Sequence, residues 1–138
     1  KHLLHIRDLQ IRTGGFTEFV PLPFVPEEAP IYLKGQARRG PTYREAVLMH
    51  AVARLTLHPH ITNIQTSWVK MGPDGVKACL QSGANDVGGT LMNETITRAA
   101  GAVHGFHVSG SCQADAIAEA KRRSQSERFT FHVRSFLI

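Results

Sequence analysis

Residues 61–69 read ITNIQTSWV. Apolar and β-branched side chains alternate there with polar ones, which predicts a strand. By the period of two, Asn63, Gln65 and Ser67 share one face. A strand buried in a parallel sheet normally reads apolar throughout. Three polar side chains on one face therefore suit one of two situations. One is a polar interior that holds a ligand through amide and hydroxyl hydrogen bonds. The other is a strand face turned to solvent. Working outward, residues 16–20 (FTEFV) and 85–90 (NDVGGT) read as two further strands.

Helical patterns separate these strands. Residues 2–12 carry apolar groups on a helical period, ended by Gly14–Gly15. The stretch 21–41 holds Pro21, Pro23, Pro26, Pro30 and Pro41, and is expected to be a shaped loop without an element. Thr42-Tyr43-Arg44-Glu45 is a capping box. After it Val47, Leu48, Ala51, Val52 and Leu55 form an apolar stripe, and Pro59 ends the helix. Gly72-Pro73-Asp74 opens a short helix with Val76, Cys79 and Leu80, closed by Gly83. Further helices are expected at 93–100, stopping at Gly101, and at 115–123, and residues 129–133 alternate like a strand. Strands separated by helices form parallel sheets, so the class is α/β. An open sheet and an arc of a barrel both fit the pattern.

The chain has 138 residues, 42% of them hydrophobic, which fits one globular unit with one core. No apolar run is long enough to span a membrane and no signal peptide is visible, so the expected location is cytoplasmic. Lys1 stands inside a helical pattern, as expected of a chain cut from a longer one. The net charge of +5 is scattered, with Arg38–Arg39 and Lys121–Arg123 as its small clusters. These read as solvated faces, and no nucleic-acid motif accompanies them. Cys79 and Cys112 match no metal or disulfide framework, and Cys79 reads as a buried small hydrophobe.

In α/β proteins the C-terminal ends of strands carry function. The connection after residues 16–20 is much longer than the usual span of about 2–6 residues and reads as a functional loop. Glu18 is either a carboxylate facing a polar cavity or an edge-strand residue facing solvent. Gly88 and Gly89 either let backbone approach a ligand or make a tight turn, and Asp86 is the acid expected to face the site. Trp68 and Met71 read as core. His58-Pro59-His60 and His104-x-x-His107 are read as cap and loop histidines rather than a metal site. No nucleophile elbow, catalytic triad or phosphate loop is present.

Four ordered stretches carry a resemblance: TGGFTEFVPLPFV (13–25), ARRGPTYREAVLMHAVARL (37–55), HPHITNIQTSWVKMG (58–72) and GANDVGGTLMNETITRAAGAVHG (83–105). Together they resemble the C-terminal part of FO synthase subunit 2, the 5-amino-6-(D-ribitylamino)uracil–L-tyrosine 4-hydroxyphenyl transferases, or the matching part of a fused bifunctional FO synthase. The menaquinone-pathway enzymes dehypoxanthine futalosine cyclase and aminofutalosine synthase fit less well at PLPFV and GGTLMNE. A second alternative, of another class, is a non-catalytic α/β unit that binds a ligand or a partner.

The resemblance implies a radical S-adenosyl-L-methionine (SAM) TIM-type (β/α) barrel. This chain would supply about its last three β/α units over residues 1–110, with a C-terminal helical extension over 111–138. It implies a [4Fe-4S] cluster on a C-x-x-x-C-x-x-C loop, and a radical that detaches the 4-hydroxybenzyl group of L-tyrosine. That group joins 5-amino-6-(D-ribitylamino)uracil in deazaflavin (FO, coenzyme F-420 precursor) biosynthesis. The partner would be FO synthase subunit 1 or a fused N-terminal half. The cysteine loop is absent from this sequence, so the chain alone is expected to hold no metal or cofactor and to be inactive. Its expected contribution is substrate-binding wall: Glu18, Asn63, Gln65, Ser67, Asp86, Gly88 and Gly89. Open sheet edges would favour self-association.

Overall fold

The computed structural model describes residues 1–88 together with residues 99 and 118. The described chain runs α1 (His2–Thr13), β1 (Glu18–Phe19), α2 (Pro30–Leu33), α3 (Tyr43–Leu57), β2 (Asn63–Ser67), α4 (Trp68–Gln81) and β3 (Asp86–Gly88). The strands form one parallel sheet in the order β1-β2-β3. Each parallel link carries a helix, as the crossover requires. The class is α/β with a small parallel sheet.

α1 stops where Gly14 turns left-handed at φ 62° and its N–H returns to the Gln10 carbonyl. Gln10 then sets the approach of β1 to β2. Its Nε2 donates to the carbonyls of Phe16 (3.0 Å) and His60 (3.1 Å), and its Oε1 accepts the Phe16 N–H at 2.7 Å. β1 is only Glu18–Phe19, shorter than the expected 16–20. Pro21 and Pro23 have no N–H to continue a ladder. The loop after it is not free of elements as expected, because α2 forms at its middle. Pro30 stands at the first turn of α2, where a missing N–H costs nothing.

The capping box of α3 forms as expected. Thr42 Oγ1 accepts the Glu45 N–H, and Glu45 Oε2 accepts the Thr42 N–H at 2.7 Å. The expected apolar stripe faces the core only in part: Val47 packs against a buried cluster and Ala51 is half-buried. Leu48, Val52 and Leu55 are exposed, Leu55 by 84%. The buried side is Ala46, His50, Ala53, Arg54 and Leu57. The small Ala46 and Ala53 let the helix lie close to its neighbours, and Arg54 finds backbone acceptors that offset its burial. α3 ends at Leu57, ahead of a cis His58–Pro59 bond.

β2 is narrower than the expected 61–69, since Trp68 and Val69 already belong to α4. The expected helix opening at Gly72-Pro73-Asp74 is present as a break within α4, with Gly72 at φ 63° and ψ 179°. Gly83 follows the helix at φ 125°. β3 occupies Asp86–Gly88 of the expected 85–90. Ala99 and Ala118 are helical, inside the expected helices 93–100 and 115–123. The rest of those helices, Gly89, Cys112, the His104–His107 pair and the 129–133 strand lie outside the described residues.

Two apolar clusters pack the helices to one side of the sheet. One joins Ala53, Leu57, Ile61 and Ile64, with Leu3, Ile6 and Phe19 against them. The other joins Ala46, Trp68, Met71, Val76, Cys79, Leu80, Ala84 and Val87. Trp68, Met71 and Cys79 are therefore core, as expected. Among the described residues no helix is long and apolar enough to cross a membrane.

Candidate functional site

Residues paired across parallel strands project to the same side. Glu18 pairs with Asn63, Gln65 with Asp86, and Ser67 with Gly88. These six positions therefore share one face. The opposite face carries Phe19, Ile64 and Val87, which enter the helix-side clusters. The face with the six positions grades from open to closed along the sheet. Glu18 is exposed, Asn63, Gln65 and Gly88 are half-buried, and Ser67 and Asp86 are buried.

Hydrogen bonds tie this face together. Gln65 Nε2 donates to Asp86 Oδ2 at 3.0 Å, and the Val87 N–H donates to Asp86 Oδ1 at 2.8 Å. Asn63 Nδ2 donates to the Thr17 carbonyl at 3.4 Å. A Cβ on Gly88 would run into the side-chain amide of Gln65, with Nε2 at 2.9 Å. Gly88 thus stands in the strand to leave room for Gln65.

Two residues that hold this arrangement were not singled out by sequence reasoning. Arg54 reaches from α3 with Nε on the Gly83 carbonyl, Nη1 on the Thr62 carbonyl and Nη2 on Asn85 Oδ1, each at 2.8 Å. Asn85 Oδ1 also accepts the Ile64 N–H at 2.8 Å. Arg54 and Asn85 together clamp the starts of β2 and β3. Burial lowers the Arg54 guanidinium from its usual pKa. The available signal was the helical spacing of Ala46, His50, Ala53, Arg54 and Leu57, masked by the more apolar stripe beside it.

Behind β2, on the helix side, lies a buried polar group of His50, Thr66 and Cys79. His50 Nδ1 stands 2.8 Å from the Ala46 carbonyl and 3.4 Å from Cys79 Sγ. The carbonyl can only accept, so Nδ1 carries the proton. His50 Nε2 and Thr66 Oγ1 are buried without a partner among the described residues. Burial pushes the His50 pKa below 6.5 and pushes the Cys79 thiol up. Both groups are therefore held neutral, and Cys79 has none of the thiolate character that nucleophilic or metal-binding cysteines need.

At the end of the sheet where Ser67 gives way to α4, a cavity of about 570 Å³ opens between the 23–27 and 39–43 segments and residues 69–71. Glu27, Arg39, Tyr43 and Lys70 stand in its wall. The two loop segments are tightly joined, because a Cβ on Gly40 would strike the Phe24 carbonyl. A second cavity, about 630 Å³, lies between α1, the prolines after β1 and α3. Among the described residues no group of three or more His, Cys, Asp or Glu stands together as a metal site would require.

The family described as "CofH/MqnC C-terminal region" matches residues 13–137. The chain is 54% identical over 129 residues to an "FO synthase" of Mycobacterium leprae, covering 94% of this chain and 15% of that protein. It is 53% identical over 131 residues to an "FO synthase" of Streptomyces coelicolor, covering 95% of this chain and 15% of the relative. It is 51% identical over 119 residues to a "5-amino-6-(D-ribitylamino)uracil--L-tyrosine 4-hydroxyphenyl transferase" of Methanopyrus kandleri, covering 86% of this chain and 32% of the relative. The chain thus spans well under half the length of each of these relatives.

Proposed function

The chain belongs to the family of CofH/MqnC C-terminal regions, and on that premise we propose that it forms the substrate side of a radical SAM transferase. In this reading the whole enzyme joins the 4-hydroxybenzyl group of L-tyrosine to 5-amino-6-(D-ribitylamino)uracil; the Methanopyrus relative is named as a transferase acting on these two compounds. The observation that carries the reading is the polar face of the sheet, where Asn63, Gln65, Ser67 and Asp86 stand side by side. A pyrimidinedione with a polyol chain is rich in N–H, C=O and O–H groups. Amide, hydroxyl and carboxylate side chains on a rigid strand can match such groups one by one.

The described residues do not fit an iron–sulfur cluster. The one cysteine among the described residues, Cys79, is buried, beside His50, and its thiol is pushed up. Cluster and SAM are therefore assigned to the remainder of a longer enzyme, and this chain binds and orients substrate. Glu18, Asn63, Gln65, Ser67, Asp86, Gly88 and Gly89 are the proposed wall. The proposal extends to a TIM-type barrel completed by other segments, with residues 1–110 as its last three β/α units and 111–138 as an extension. Among the described residues β1 and β3 each pair on one side only, which leaves edges for completion or self-association. FO synthase subunit 1, or a fused N-terminal half, is the proposed partner, in the cytoplasm.

The test is anaerobic incubation of the intact enzyme containing this chain with L-tyrosine, the ribitylaminouracil, SAM and a reductant. Mass spectrometry should detect the coupled product. Conversion of a dehypoxanthine futalosine substrate instead would place the chain with the menaquinone-pathway enzymes. If neither reaction takes place, the radical-transferase reading is overturned.

A further inference from the structure

The neighbours of Gln65 on the polar face dictate which way its amide is turned. A carboxylate oxygen can only accept, and Asp86 already receives the Val87 N–H on Oδ1. The Gln65 amide must therefore meet Asp86 Oδ2 with its nitrogen, at 3.0 Å. The flip that is ordinarily ambiguous for an amide is fixed by chemistry here. Oε1 is then left against Gly88, in a space that any Cβ at position 88 would fill. Gln65 is half-buried, so the acceptor is partly removed from water as well. A half-buried acceptor held in one orientation is suited to receiving a hydrogen bond from a ligand.

We propose that Asp86 is a positioning residue that locks the Gln65 amide so that Oε1 accepts a hydrogen bond from an N–H or O–H donor of the substrate. The inference rests on the transferase reading above and adds a specificity-determining atom to it. Both substrates of that reading carry donors: the ring and amino N–H groups of the ribitylaminouracil, and the ammonium and phenol of tyrosine. The shared chemistry is a donor facing a fixed carbonyl-type acceptor. Asp86 contributes indirectly. It sets which end of the amide points inward and excludes ligands that would present an acceptor there.

The experiment uses the intact enzyme containing this chain and measures kcat and KM for each substrate. Gln65→Met removes the acceptor at nearly constant volume. It should raise KM about tenfold for the substrate that donates, with kcat changed less, as for one lost hydrogen bond. The substrate whose KM rises identifies the donor. Asp86→Asn, which can present either end of its own amide, should raise the same KM by about three- to tenfold on the same grounds. The decisive arm is the double variant. Asp86→Asn in the Gln65→Met background should add no further rise, because Asp86 acts through Gln65. A merely structural role for Asp86 would instead multiply the two effects. Because Asp86 is buried, thermal unfolding of each variant is recorded, and Gln65→Met carries the test if Asp86→Asn does not fold. Unchanged KM for both substrates in a folded Gln65→Met enzyme would overturn the inference and leave the transferase reading standing. No coupling by the wild-type enzyme would overturn both.

Discussion

On the helix side of β2, Ile64 and Thr66 are fully buried, while on the other side Asn63 and Gln65 stay half-open. The two sides are alternate residues of the same five-residue strand. The helix side is held mainly by apolar contact, with Ile64 packed among Ala53, Leu57 and Ile61. The other side is held by side-chain hydrogen bonds, Gln65 to Asp86 and Asn63 to Thr17. Apolar packing is concentrated on the first side and side-chain hydrogen bonding on the second, the side proposed to meet substrate. The division is not complete: the helix side also buries Arg54 and the His50–Thr66–Cys79 group.

The sharpest test of this division is a pair of neighbours. Ile64→Ala should cost about 2–5 kcal/mol, because it empties a fully buried site in the cluster. Asn63→Ala should change stability by no more than about 0.5 kcal/mol, as a half-open residue outside the core. Urea unfolding of the two variants measures both, and equal costs would break the comparison.

Arg54 comes next. Arg54→Met keeps the stem and removes the guanidinium from the two carbonyls and the Asn85 side chain. Stability should fall by about 3 kcal/mol, since buried acceptors lose their donors. A cost within experimental error would show that the clamp on β2 and β3 is not needed.

His50 makes a prediction in pH. Burial places its pKa below the ordinary 6.5 in the folded chain. The unfolded chain therefore binds the proton more readily than the folded chain. Well above pH 6.5 neither state is protonated, and the group leaves stability unchanged. As pH falls below that value, stability should drop by at most about 1.4 kcal/mol per pH unit from this residue. The drop levels off once the pH passes below the folded-state value. His50→Gln should flatten that part of the profile in urea unfolding measured between pH 7 and about pH 5. A smaller loss is expected at the α3 cap. Thr42→Ala should cost about 1 kcal/mol in the same assay, through the loss of one side of the capping box.

What was legible in the sequence follows from the range of the interactions. The capping box at Thr42 and Glu45 is local, three residues apart, and forms as read. The shared face of Asn63, Gln65 and Ser67 follows from strand period alone and is present in β2. The inward side of α3 is not the one that hydropathy marks most strongly. Hydropathy favoured Leu48, Val52 and Leu55, while the buried side is chosen by acceptors on Thr62, Gly83 and Asn85 that lie far along the chain. The Gln65–Asp86 bond and the space for it above Gly88 depend on the register of β2 with β3, which no local pattern encodes. The short α2 was hidden by the same prolines that mark a loop, because one of them sits where a helix accepts it.

The most direct test of the polar face is turnover by the intact enzyme carrying Asn63→Ala, with the urea midpoint measured on the same preparation. The expected result is a fall of about tenfold in kcat/KM for the ribitylaminouracil, as for one lost substrate hydrogen bond, at an unchanged midpoint. Full activity at the same midpoint would mean that substrate does not touch this face.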